Sequence, residues 1–376
     1  MQKIAVIPGD GIGPEVVEQA MRVLDAVAER RNLDLDFEEF PLGAGHYLKT
    51  GEVLSEETVG RLEHKDAILL GAMGDPRVKP GVLEKGVLLR LRFHFDQYVN
   101  LRPIKLFEGV PCPLVGDGRK IDIQFVRENT EDFYVGLGGR VTEGRSRTEL
   151  TLIRKAYEVK FDVGIDLKRE KDLAFQIGVV SRAGADRVVD FAFKLAKDSG
   201  IDLVTSVDKA NVLTEIYGLW REAVERKSRE FGIEREFQYV DAVALHMVRN
   251  PERFKLIVSP NLFGDILTDL GAAIQGGLGF APSGNINPSG VSMFEPVHGS
   301  APDIAGKGLA NPVGAILSSA LMLRTLGHAE AASDVERAVE DVLREGRNRT
   351  ADIGGTTSTS KMGDAVVERL KMKKTQ

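Results

Sequence analysis

The chain has 376 residues, 43% of them hydrophobic, with a formal net charge of −6, long enough for two domains with ample cores. No run of one charge sign gives the basic footprint of a nucleic-acid binder. No apolar run reaches the roughly 18 residues of a membrane helix. The single cysteine, Cys112, excludes an internal disulfide and a multi-cysteine zinc site. With no signal-peptide pattern at the N-terminus, the expectation is a soluble cytoplasmic protein with neither membrane nor nucleic acid as partner. The basic run at 371–374 reads as a frayed end.

In chain order, residues 3–7 read as a buried strand, followed by Gly9-Asp10-Gly11-Ile12-Gly13 and a helix from Glu15 to about Arg30. Pro14 suits the helix start, and Val16, Ala20, Val23, Leu24 and Val27 recur at helical spacing. The glycine turn could present backbone N–H groups to an anion, or simply turn strand into helix. It is not Gly-x-Gly-x-x-Gly, because Gly9, Gly11 and Gly13 alternate, and it lacks a P-loop lysine. Residues 33–40 alternate as a strand, Ser55 caps a short helix to about Leu62, and residues 67–70 form a buried strand ending in a second glycine loop at 71–76. This spacing predicts an α/β fold with a parallel sheet, helices on both faces and ligands at the carboxyl ends of the strands.

Residues 81–95 read as helical. Lys85, Leu88, Leu89 and Arg92 then share one face, which suits a substrate pocket, or equally a core edge with its cations snorkelling. Residues 121–127 read as a strand. Arg92, Arg102 and Arg127 place three guanidinium forks in a short span, and such forks match carboxylates in a bidentate way. Tyr134 follows seven residues beyond Arg127. Residues 136–181 turn polar and alternating, an extended β arm suited to subunit contact. A helix at 182–197 and a strand at 203–207 lead to Lys209, a general base if burial or nearby cations lower its pKa. A further helix, carrying Trp220, runs to about Phe231.

Residues 261–271 are the stretch around which the rest is arranged. Asp265 and Asp269 stand four residues apart, so a helix points both carboxylates from one face. Like charges at that spacing repel by a few tenths of a kcal/mol unless a cation lies between them. A hard divalent cation takes such oxygen ligands, and Asp241, after the strand-like run 236–240, offers a third. The bland alternative is a solvated acidic face, but these surroundings are apolar and glycine-rich. Gly271 is expected just past the helix end. Residues 295–303 form a dense turn, the chain stays loop-like to Asn311, Pro312 starts an apolar helix to about Leu326, and two amphipathic helices finish the chain.

Together Pro8-Gly-Asp-Gly-Ile-Gly-Pro-Glu15, Asn100-Leu-Arg-Pro103, Val126-Arg-Glu-Asn-Thr-Glu131, Asp208-Lys-Ala-Asn211 and the stretches 261–269 and 295–311 strongly resemble the metal-dependent β-decarboxylating dehydrogenases, which include isopropylmalate, isocitrate, homoisocitrate and tartrate/D-malate enzymes. The resemblance covers essentially the whole chain. It implies a two-domain isopropylmalate dehydrogenase-like fold with parallel and mixed sheets, unlike the Gly-x-Gly-x-x-Gly dinucleotide fold. One domain would come from residues 1–99 and 275–376, the other from 100–274, in a homodimer with shared active sites. By motif, Arg92, Arg102 and Arg127 resemble the substrate-carboxylate clamp. Asp241, Asp265 and Asp269 resemble the ligands of Mg2+ or Mn2+, with Asp241 coming from the partner. Lys209, also from the partner, looks like the base and Tyr134 like the acid. Asn211 would lie near the nicotinamide. Ile12, Glu295, His298, Gly299, Ser300, Ala301, Asp303, Ile304 and Asn311 look like the cofactor site, with His298 and Asn311 at the adenine. Asp303 falls where the family's NAD enzymes accept from a ribose 2′-hydroxyl, and an acid there repels a 2′-phosphate, so NAD is expected.

The substrate implied is a 2-hydroxy acid with a C3 carboxylate. Leu88 and Leu89 favour an isopropyl substituent, each buried methyl-sized group contributing about 0.8 kcal/mol, which points to (2R,3S)-3-isopropylmalate and release of 4-methyl-2-oxopentanoate and CO2. Lys85 sits where a cation could serve a third carboxylate, so homoisocitrate or isocitrate stand as alternatives; Val126-Arg-Glu-Asn-Thr-Glu131 and Asp96-Gln-Tyr-Val-Asn100 also resemble tartrate/D-malate enzymes, so D-malate or tartrate is a further one. A metal-dependent nucleotide-binding or phosphoryl-transfer protein using the 9–13 turn would leave the three arginines and Lys209 unexplained.

Overall fold

The computed structural model describes residues 1–116, 118–155, 157–169 and 171–372; the basic residues Lys373 and Lys374 lie outside the described residues. The chain opens with β1 (Gln2–Gly9), α1 (Gly13–Arg31), β2 (Leu35–Glu39), α2 (Ala44–Thr50), α3 (Glu56–Leu62) and β3 (Ala67–Ala72). A π-helical turn (Glu84–Leu89) runs into α4 (Arg90–His94), followed by β4 (Val99–Lys105) and β5 (Asp122–Glu128). The arm comprises β6 (Gly138–Val141), β7 (Gly144–Arg154), β8 (Tyr157–Leu167) and β9 (Leu173–Gln176). Then come α5 (Arg182–Asp198), β10 (Leu203–Asp208), α6 (Thr214–Phe231), β11 (Glu234–Tyr239), α7 (Val240–Arg249), β12 (Leu256–Ser259) and α8 (Asn261–Ile274). The chain closes with β13 (Pro282–Ile286), β14 (Ser292–Pro296), α9 (Val313–Thr325), α10 (Ala329–Glu345) and α11 (Thr359–Lys371).

Two compact units result. One comprises Met1–Phe125, His246–Phe254 and Thr268–Gln376, the other Val126–Leu245 and Lys255–Leu267. The first changeover falls inside β5 and not after residue 99. The reason is pairing: β4 lies antiparallel to β13 through Asn100 and Asn285, which keeps residues 99–105 with the chain ends.

In the first unit the strand order is β4-β13-β14-β3-β1-β2. The pairs among β1, β2, β3 and β14 are parallel, and those of β13 are antiparallel. Every residue of β3 is buried, as expected of a strand covered on both faces. Helix α9 is buried from Val313 to Leu323, the mark of a helix enclosed on all sides. Helix α1 starts at Gly13 with Pro14 in its first turn, and Asn32 in left-handed conformation ends it. In the second unit the order is β11-β10-β12-β5, with β10 parallel to both neighbours. β7 and β8 pair antiparallel along eleven residues each, and their base is fixed by Leu152 packed with Val135 and Leu137.

Two local expectations are corrected. Gly271 does not end α8, which continues to Ile274. A Cβ at Gly271 would lie 2.2 Å from Ile104 Cδ1, so this glycine allows close packing of the helix. The segment carrying Lys85, Leu88 and Leu89 is a π-turn, so the 100° steps that placed those residues and Arg92 on one face do not apply through it. Leu88 packs against the core built around Val87, Leu91 and Phe95.

Candidate active site

Arg127 reaches the end of β5 with its side chain 2% exposed. Its Nε and Nη2 donate to Asn261 Oδ1 at 2.9 and 2.6 Å, and its Nη1 donates to Asp265. Asn261 is itself fixed, donating from Nδ2 to the Glu131 carbonyl at 3.2 Å. Helix α8 can lie along the arginine stem because residue 264 is glycine: a Cβ there would sit 2.6 Å from Arg127 Cγ. Tyr134, in a 3-10 turn (Phe133–Val135), donates its hydroxyl to Asp265 Oδ2 at 2.6 Å. The Arg127 guanidinium also lies 5.2 Å from the centre of the Tyr134 ring, within cation–π range. The sequence-derived acid, one clamp arginine and one metal-ligand candidate thus meet within the second unit.

Asp132 orients this group. It is buried with φ at 63°, a conformation that costs a non-glycine residue about 1–3 kcal/mol. The bend lets its Oδ2 accept from Leu262 N in the first turn of α8 at 2.8 Å, while Tyr217 donates to Oδ1 at 3.2 Å. Burial pushes the Asp132 carboxyl up from its ordinary pKa, against those donors. Neither Asn261 nor Asp132 had been assigned a role from sequence. Their partners are distant in the chain, and a buried Asn at a helix start carries no signal beyond capping.

Lys209 follows β10, and its Nζ donates to Asp241 Oδ1, in the first turn of α7, at 2.5 Å. The lysine hydrogen bond holds the Asp241 carboxyl below its usual range. Beside it, fully buried Asp208 accepts from Arg221 and from Ala210 N, fixing the turn that presents Lys209. Asn211 is exposed.

In the first unit Arg102 on β4 donates to Thr268 Oγ1 at 2.7 Å and lies 3.7 Å from Asp269. Each of the two α8 carboxylates therefore has an arginine partner, which answers their mutual repulsion. Arg92 is buried on α4 and Leu89 is half-buried. Among the described residues of one chain, no three His, Cys, Asp or Glu side chains are grouped closely enough to hold a metal ion. Asp265 and Asp269 supply hard oxygen donors from α8, and their side chains are 36% and 66% exposed. Two accessible carboxylates fit a divalent cation that takes its remaining ligands elsewhere.

Three N–H groups of the 9–13 turn are committed within the chain. The N–H groups of Asp10, Ile12 and Gly13 go to the carbonyls of Ala72, Ser300 and Asp10 at 2.7, 2.8 and 2.9 Å. The Asp10 carboxylate accepts from Ala44 N and Gly74 N. The turn thus braces the 71–76 loop and the segment after β14. Glu295 lies in β14, not in a turn, and accepts from Asn285 at 2.8 Å. His298 Nδ1 lies 3.0 Å from the Gly299 carbonyl, and its Nε2 is shut off from solvent with no hydrogen-bond partner. Burial holds that imidazole below its ordinary pKa. Asn311 donates to Asp352 Oδ2 at 2.9 Å. Ala301 has φ at 38°, Ile304 N closes a turn onto the Ala301 carbonyl, and Gly299 and Asp303 are exposed.

The family model described as isocitrate/isopropylmalate dehydrogenase matches residues 3–366. The chain belongs to the isocitrate/isopropylmalate dehydrogenase family. It is 47% identical to 3-isopropylmalate dehydrogenase of Thermobifida fusca, over 98% of this chain and 97% of that protein. Identity to the enzyme of the same name from Corynebacterium glutamicum is 44%, over 98% and 99%. Among solved structures, isocitrate dehydrogenase from Methylococcus capsulatus superposes with a TM-score of 0.84 at 34% identity, covering 99% of this chain and all of that one. A β-decarboxylating dehydrogenase from Thermococcus kodakarensis gives 0.74 at 36% identity, covering 98% and 96%. Members of this family act on small hydroxy acids, and the fold described above is the family's α/β fold.

Proposed function

We propose that this chain oxidises (2R,3S)-3-isopropylmalate to 4-methyl-2-oxopentanoate and CO2, with NAD and a divalent cation, Mg2+ or Mn2+. The observation that carries the proposal is similarity along nearly the full length to enzymes named 3-isopropylmalate dehydrogenase. Arg92, Arg102 and Arg127 hold the two substrate carboxylates. Lys209 accepts the C2 hydroxyl proton, and NAD, when bound, would supply the acceptor for the C2 hydride. The C3–carboxylate bond then breaks, and Tyr134 delivers a proton to C3. Asp265 and Asp269, with Asp241 of the partner subunit, would hold the cation, which when bound supplies Lewis acidity at the C2 oxygen.

Several features support this reading. The tyrosine hydroxyl is held by Asp265, close to where the C2 oxygen would be bound. Lys209 and Asp241 are paired on one chain, as expected if both are delivered together to a partner's site. Leu245 and Val248 on α7 and Ile266 on α8 are 52%, 46% and 58% exposed, and exposed apolar side chains of this kind suit a homodimer interface. The exposed Asp303 suits a ribose 2′-hydroxyl and so favours NAD. No helix among the described residues is long and apolar enough to cross a membrane, and we place the enzyme in the cytoplasm. NADH formation measured with 3-isopropylmalate, D-malate, tartrate, isocitrate and homoisocitrate tests the substrate. The highest kcat/KM belongs to 3-isopropylmalate; a preference for any of the others contradicts the proposal.

A further inference from the structure

The sequence motif at residues 8–15 is not used by the chemistry above, and the N–H groups of Asp10, Ile12 and Gly13 are bonded to carbonyls of the chain itself. Its last residue, Glu15, has a different task. Glu15 stands in the first turn of α1. Its two carboxylate oxygens accept from two backbone N–H groups of one loop: Oε1 from Gly306 N, and Oε2 from Gly308 N at 3.0 Å. Both glycines are left-handed, at φ 73° and 63°. Successive N–H groups in such turns converge into a small anion-binding concavity. Here that concavity is filled by a carboxylate of the same chain.

The same motif grips the loop at its other end. Ile12 N donates to the Ser300 carbonyl at 2.8 Å, and a Cβ at Gly11 would lie 1.9 Å from that oxygen. The loop is pinned at 300 by Ile12 and at 306 and 308 by Glu15. Between the pins lie Ala301, Asp303 and Ile304, all assigned to the cofactor. Carboxylate-to-N–H bonds are about twice as strong as neutral ones, and this carboxylate also suits the positive end of α1.

We propose that Glu15 is a positioning residue for NAD, presetting the loop that carries Asp303 so that cofactor binding need not order it. The proposal rests on the reading that residues 298–311 receive the adenosine half of NAD. The test uses Glu15→Gln, Glu15→Ala and, as an independent probe of the loop, Asp303→Lys. Titration calorimetry with NAD and steady-state kinetics are run on each full-length variant. Glu15→Ala is expected to weaken NAD binding and raise its KM about tenfold, a loss of about 1.4 kcal/mol. The substrate KM and kcat at saturating NAD stay within about twofold. Glu15→Gln keeps one acceptor and rescues most of the loss. Asp303→Lys shifts the NADP to NAD preference toward NADP. If Asp303→Lys shifts the preference but Glu15→Ala leaves NAD affinity unchanged, the role of Glu15 is overturned and the loop assignment stands. If neither variant changes dinucleotide binding, both are overturned. A fall in Tm with equal losses in kcat and every KM would make Glu15 merely structural and also overturn the proposal.

Discussion

The Lys209 ammonium and the Asp241 carboxylate of the same chain are bonded at 2.5 Å. The pair joins the candidate base to a candidate metal ligand, so one rigid feature carries both. Removing the side-chain amine removes the proposed proton acceptor, which must be the neutral form of Lys209, and general acid–base groups contribute about 10²–10⁴ in rate. Lys209→Met should lower kcat by that range with NAD binding unchanged. Shared sites add a sharper expectation. Mixed after co-refolding, Lys209→Met and Tyr134→Phe chains form heterodimers with one intact site of two. That restores roughly a quarter of wild-type turnover in a randomly assorted symmetric dimer. Activity no greater than the sum of the parents would contradict partner donation.

Asn261 occupies the Nε and Nη2 side of Arg127. On the proposed role of Arg127, a substrate carboxylate would meet the Nη1 and Nη2 end of the guanidinium, where Nη1 also donates to Asp265. Asn261→Ala frees the fork to swing and deprives a buried cation of its acceptor, a change worth about 1.5–3 kcal/mol. Substrate KM should rise about 10- to 100-fold, with the NAD KM unaffected. Equal increases in both constants would mean a general loss of structure.

Glu128 gives a stability prediction. Burial first, and the charge of Glu131 second, push its carboxyl up to about 7 from 4.5, although Thr130 and Glu131 N–H groups and the Thr130 hydroxyl oppose this. An acid raised in the folded state keeps its proton there after the unfolded chain has released it. Its stabilising contribution is complete below the unfolded value and is lost as pH rises through about 7. Glu128→Gln removes that dependence at the cost of one acceptor. The variant's Tm relative to wild type should improve between about pH 5 and about pH 8; two parallel Tm profiles would refute the assignment.

The fold was legible where the pattern is local. Pro14 and the apolar spacing of α1 mark that helix, and Ser55 caps α3 through Thr58 N. Strands β4 and β13 were missed because buried polar residues stand among their apolar ones. Asn100, fully buried, donates to Ser283 Oγ and Asn285 Oδ1, a ladder that no hydrophobic alternation betrays. Helix α2 contains Gly45 and is flanked by Gly43 and Gly51, so its sequence carries little helical signal. In the π-turn a Cβ at Gly86 would lie 2.6 Å from Val53 Cγ1, and in α8 one at Gly271 would lie 2.2 Å from Ile104 Cδ1, close approaches to residues far away in sequence. In the site, the residue types were legible: acids, arginines, a lysine and a tyrosine in motif order. Their supports, Asn261, Asp132, Asp208 and Glu15, were not, because each acts through a partner that only folding brings near.

The central claim is that oxidation at C2 and loss of the C3 carboxylate are one metal-dependent process. CO2 release and NADH formation measured together, with 3-isopropylmalate, NAD and Mn2+, test it most directly. One CO2 per NADH is expected, with both abolished by EDTA and restored by excess Mn2+. NADH without CO2, or turnover indifferent to EDTA, would contradict it.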